Sequence, residues 1–118
     1  MTSEMNPKPL KTVSADKAFQ FYTSVGNYTG MSASSLKEFM EKINKVNVKS
    51  LEFHLGRGDF EKWTSEILED QVLPAEIRKL QKTGLTGERL RNQLYLAVSR
   101  RFRYLTSPTG AVFSNKSV

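Results

Sequence analysis

The sequence predicts a mainly helical domain, and three observations carry that expectation. Ser35 with Glu38 three residues later is a capping-box signature, and Leu36, Phe39, Met40, Ile43 and Val46 keep the three-four spacing of a helix face turned to a core. Thr86 stands ahead of a longer stripe, Leu90, Leu94, Ala97, Val98, Phe102 and Leu105, which reads as a helix over about 87–105. Between the two, Phe60, Trp63, Thr64 and Ile67 share a helical face behind Asp59, which can accept free N–H groups as a cap, with Glu61 suiting the positive end of the helix dipole.

The remaining stretches follow in chain order. Residues 1–13 mix Pro, Ser, Thr and Lys without a period and are expected to form a disordered tail. The next segment is an irregular, aromatic-rich lead-in: Phe19 and Phe21 alternate as in a strand, Ala18, Phe19 and Tyr22 also fit a helical turn, and Gly26-Asn27 and Gly30 demand turns. From Val48 to Leu55 the pattern fits two elements. Val48, Leu51 and Leu55 share a helical face, capped by Asn47 or Ser50, while Leu51, Phe53 and Leu55 share a strand face. Gly56 and Gly58 are expected to stop whichever forms. Glu69-Asp70-Gln71 reads as a polar break, Pro74 as the first turn of a short helix carrying Ile77 and Leu80, and Gly84 as its end. The chain should be one domain over 14–105, with 106–118 a flexible tail.

Composition narrows the chemistry. There is no cysteine and one histidine, so disulfides, thiol catalysis, cysteine zinc sites and multi-histidine metal sites are excluded. No metal or cofactor is expected. No apolar run approaches the roughly 20 residues that span a bilayer and no signal-peptide core follows the N-terminus, so no membrane partner and a cytoplasmic location are expected.

The net charge of +6 is unevenly distributed. Up to Pro74 there are nine Lys or Arg against ten Asp or Glu, and from Ala75 to Leu105 eight against two. Such an excess points to an anionic partner, nucleic acid or an acidic protein surface, or else to a solvated helix face that keeps the protein soluble. On a regular helix Arg89, Arg100 and Arg103 project opposite the apolar stripe, available for phosphate contacts with help from Lys79 and Lys82. Arg101 falls inside the stripe, where its guanidinium must escape along the surface or meet a carboxylate such as Asp59. Arg91, at the stripe's edge, raises the same question.

The spacing of Thr29-Gly30, Ser35-Leu36 with Glu38-Phe39, Ser50-Leu51 with Phe53-His54, Asp59-Phe60 with Trp63, Ile77, and Glu88 with Leu90-Arg91 resembles a small helical domain of unknown function found in archaea and bacteria. The resemblance spans roughly Phe19 to Leu105. It implies an all-α compact bundle of about five helices, with the segment around Leu51 and His54 helical, and it implies no activity.

Two places can carry function. His54, Arg57, Asp59 and Arg101 form a candidate polar cluster, because a carboxylate beside an imidazole orients it and shifts its pKa. Without a nucleophile signature, a phosphate loop or a triad order, a helix cap at Asp59 and a structural His54 are the plainer assignment. The basic helix is the other place. A non-enzymatic module touching nucleic acid through phosphates is expected first, an adaptor or subunit docking an acidic partner second, and a small enzyme or ligand-binding protein centred on His54 and Asp59 third.

Overall fold

The computed structural model describes residues 7–107. Its lead-in is a β-hairpin, so the fold is α+β and not the all-α bundle expected. Strand β1 (Phe19–Ser24) pairs antiparallel with β2 (Asn27–Ala33). Phe19 and Phe21 satisfy their alternation as a strand, both rings buried on one side while Gln20 and Tyr22 stay half-buried. Gly26, at φ 83°, makes the turn, a backbone state that costs glycine little. Gly30, at φ 85°, makes a bulge inside β2 where a second turn was expected. Gln20 faces Ser32 and Tyr22 faces Tyr28, so Thr29, Gly30 and Met31 lie opposite Phe21 alone. The Thr29 hydroxyl spans the gap, donating to the Phe21 carbonyl at 2.8 Å and accepting from the Met31 amide at 3.1 Å. This interruption of the period-two pattern is why the strands were not legible as a pair.

The helices follow their sequence signals closely. Helix α1 (Leu36–Ile43) is capped by the Ser35 hydroxyl, which accepts from the Glu38 amide at 3.2 Å, and the Glu38 carboxylate reaches back to the Ser34 amide at 2.8 Å. Helix α2 (Val48–Arg57) resolves the ambiguous stretch: Asn47 caps it through the Lys49 amide at 2.8 Å, Gly56 lies within it, and Gly58 in the left-handed conformation ends it. Helix α3 (Asp59–Lys62) runs directly into a π-helical turn, Trp63–Ile67. Pro74 sits in the first turn of α4 (Leu73–Thr83), and Gly84 ends it with a left-handed φ of 76°. Helix α5 (Gly87–Thr106) is the longest, but its first amide is not covered by the Thr86 side chain. Glu52 of α2 accepts from the Gly87 amide at 2.7 Å, placing a carboxylate at the positive end of the dipole.

One core joins these elements. The apolar stripe of α5 packs against α1, α2 and α4, while the hairpin closes over α1 and α2. Leu36, Phe39, Ile43, Trp63, Leu90, Leu94 and Val98 are buried together, with Ile67 and Phe102 half-buried against them. Part of the expected N-terminal tail, residues 7–13, is among the described residues. Lys8–Leu10 forms a 3-10 turn with Pro9 buried, and the Val13 amide donates to the Ser34 carbonyl at 2.8 Å. Residues 1–6 of that tail, and 108–118 of the expected C-terminal one, lie outside the described residues. Among the described residues no helix is long and apolar enough to cross a membrane.

Candidate functional site

The polar cluster is built where α2, the hairpin and α3 meet. His54, on the last full turn of α2, is buried among Phe19, Phe21, Phe53 and Phe60, its ring 4.7 Å from that of Phe19. Both nitrogens are engaged. The Tyr22 backbone amide of β1 donates to Nε2 at 2.8 Å, and Nδ1 lies 2.8 Å from Asp59 Oδ2. Because an amide can only donate, Nε2 is the unprotonated nitrogen and Nδ1–H donates to the carboxylate, which assigns the tautomer. Burial pushes the His54 pKa below its ordinary value, outweighing the opposing pull of Asp59. The imidazole is thus neutral, with its free lone pair spent on the edge of β1. To act as a general base it would have to release the hairpin.

Asp59 does not make the expected cap. It is the first residue of α3, and its carboxylate turns back to His54 and to Arg57 Nε at 3.2 Å. The three residues the sequence grouped as His54, Arg57 and Asp59 therefore do converge, on one carboxylate. Arg101 does not join them. Its guanidinium grips Asp70 instead, Nε at 3.0 Å from Oδ2 and Nη2 at 2.8 Å from Oδ1. Asp70 is almost wholly buried, and its oxygens also accept from the Val72 and Leu73 amides at the start of α4 at 3.2 and 3.4 Å. Sequence reasoning missed Asp70, although an aspartate just ahead of Leu73-Pro74 is a legible helix-start signal. Arg91 is likewise spent internally: Nη1 donates to the Ile43 and Val46 carbonyls at 2.8 and 2.9 Å, covering acceptors at the last residue of α1 and in the connection after it, and Nε pairs with Glu88 at 2.8 Å.

The basic segment can now be sorted. Of its eight cations, Arg78 pairs with Glu61, Lys79 with Glu76, Arg91 with Glu88 and Arg101 with Asp70. Arg89, Arg100, Arg103 and Lys82 are exposed and form no ion pair among the described residues. Arg89, Gln93, Leu96, Arg100 and Arg103 succeed one another at helical spacings of three and four, a single stripe on the outer side of α5. From the first arginine to the last it runs about 21 Å at 1.5 Å per residue. Lys79 and Lys82 belong to α4 and stand apart from this helix. Among the described residues no cluster of three His, Asp or Glu side chains could hold a metal ion.

A family model described as a family of unknown function, DUF5752, matches residues 2–99. The chain belongs to that family. No curated protein and no solved structure matches it. In this DUF5752 chain the match takes in the hairpin, His54, Asp59, Asp70 and Arg89, and it ends one residue before Arg100. Arg100 and Arg103 lie beyond the matched segment.

Proposed function

We propose that this DUF5752 protein is a non-enzymatic binding module of the cytoplasm whose α5 stripe meets the phosphates of nucleic acid. One observation carries the reading: the arginines of α5 divide into two used inside the fold, Arg91 and Arg101, and three exposed without an ion pair among the described residues, Arg89, Arg100 and Arg103. Exposed arginines on one helix face, about 21 Å long, span about six base-pair rises of duplex. Such contacts position a protein without reading bases, so little sequence preference is expected. Lys82 and Lys79 of α4 are auxiliary cations, Lys79 being partly spent on Glu76 at 3.7 Å.

A second reading has its own support. Leu96, 42% exposed, lies in the middle of the stripe, and Tyr104, 55% exposed, lies beside it. An acidic protein surface would cover both apolar groups while meeting the arginines, whereas a phosphate backbone gains little from Leu96. Titration of the purified protein against random duplex and single-stranded nucleic acid at two salt concentrations separates the readings. Binding that weakens steeply with salt supports the first, and no binding at low salt overturns it in favour of the acidic partner.

A further inference from the structure

A second feature lies away from α5. A cleft of about 490 Å³ opens between the hairpin turn, α2 and the π-helical turn. That volume falls within the roughly 300–1,000 Å³ of small-molecule sites. Its apolar lining includes Phe53, Trp63, Ile67 and Val25, and Val25 is left 80% exposed by the hairpin turn. Val25 is the most exposed large apolar side chain among the described residues, and it overhangs this cleft.

The charges around the cleft are not equivalent. Asp59 already accepts from His54 and is paired with Arg57 Nε at 3.2 Å, so it is an occupied acceptor. Arg57 is held from two sides, by that ion pair and by the face of Phe53, whose ring centre lies 5.0 Å from the guanidinium carbon. Its terminal nitrogens make no hydrogen bond among the described residues, so they present an oriented fork beside an aromatic wall. Lys62 and Glu66 also line the cleft, one helical turn apart and both exposed. They offset one another in charge, as Arg57 and Asp59 do, so what favours an anion here is the unbonded Arg57 fork, which has room for one negative group, and not a net positive charge.

We propose that this cleft binds a small monoanionic ligand with a flat apolar body, an aromatic carboxylate, its carboxylate on the Arg57 guanidinium and its ring between Phe53, Trp63 and Val25. The fork of arginine matches the two oxygens of a carboxylate, and aromatic walls favour a planar partner. His54 takes no part in contact chemistry, since both its nitrogens are engaged in holding β1 and Asp59.

Trp63 is the single tryptophan of the chain, so its fluorescence reports this cleft directly. The probes are 1-naphthoate, its neutral amide 1-naphthamide, and 1-naphthylmethylamine. Naphthoate is expected to change Trp63 emission saturably and to bind more tightly than the other two. Arg57→Gln should weaken naphthoate by about tenfold or more, as loss of a charge-assisted contact implies, and leave naphthamide unchanged. Val25→Glu, at a position too exposed to matter for folding, should repel naphthoate several-fold and provides the same test should Arg57→Gln fail to fold. Equal affinity for the three probes, no saturable response up to millimolar concentration, or a naphthoate affinity untouched in a folded variant overturns the proposal.

Discussion

Replacing Asp70 by alanine is the sharpest perturbation of the fold. The side chain is 1% exposed, it holds both arms of the Arg101 guanidinium, and it accepts two amides at the start of α4. Removing one partner of a buried pair costs about 3–5 kcal/mol, because the other charge stays behind without compensation. Arg101 keeps 16% side-chain exposure and a long stem, which favours the lower end, while the uncovered amides of α4 add about 1 kcal/mol. The sum, about 3–4 kcal/mol, is a large part of the roughly 5–15 kcal/mol that holds a domain of this size. At roughly 4–8 °C per kcal/mol, Tm should fall by roughly 12–32 °C. Urea unfolding read by circular dichroism checks the value, with the midpoint shifted and the slope kept. Asp70→Asn, which retains an amide acceptor but loses the charge, should cost about half as much. Arg101→Met in the Asp70→Ala background should recover part of the loss, because no unpaired charge then remains. A cost for Asp70→Ala below about 0.5 kcal/mol, or strict additivity with Arg101→Met, would refute the assignment of this pair.

The other predictions are smaller. His54 has its pKa lowered by burial, so it contributes stability that is present above its unfolded value of 6.5 and lost as pH falls towards the lowered folded value. Thermal melts between pH 7.5 and 5.5 should therefore show Tm falling with pH, and His54→Gln should flatten that dependence; an equal slope in both proteins would remove His54 as its source. Ser50 is fully buried and its hydroxyl finds no hydrogen-bond partner among the described residues, so Ser50→Ala should leave Tm unchanged or raise it. A drop of several degrees would mean that the hydroxyl is satisfied after all. Arg91→Met removes the donor over the Ile43 and Val46 carbonyls and should cost about 1.5–3 kcal/mol in the same urea assay; no change would show that water covers those carbonyls equally well.

What the sequence made legible was whatever lies on one element. The Ser35 cap, the Gly58 and Gly84 stops, Pro74 and the two apolar stripes are all local signals, and each is where it was expected. What stayed hidden depends on two elements meeting. Phe19 and Phe21 alternate over too few residues to separate strand from helix, and the bulge at Gly30 breaks the register that would have named a hairpin. Asp59 had the position of a cap, but a histidine five residues back and Arg57 compete for its oxygens and win. The partner of Arg101 lay in a segment taken for a polar break, 31 residues away, and no spacing rule connects Asp70 to it. Glu52, capping α5 from α2, is the same kind of contact. The exposed arginines were legible for the opposite reason: a side chain with no ion pair among the described residues needs only the helical period to be placed.

The central claim rests on Arg89, Arg100 and Arg103, and the salt dependence of binding tests it most directly. Affinity for random duplex is to be measured across a salt series for the parent and for Arg89→Gln/Arg100→Gln/Arg103→Gln. With about 0.9 released counterion per phosphate contact, the triple variant should lower the slope of log affinity against log salt by up to about 2.7. Its melting temperature should stay with the parent's, since all three side chains are exposed. A folded triple variant with the parent's slope and affinity would contradict the account.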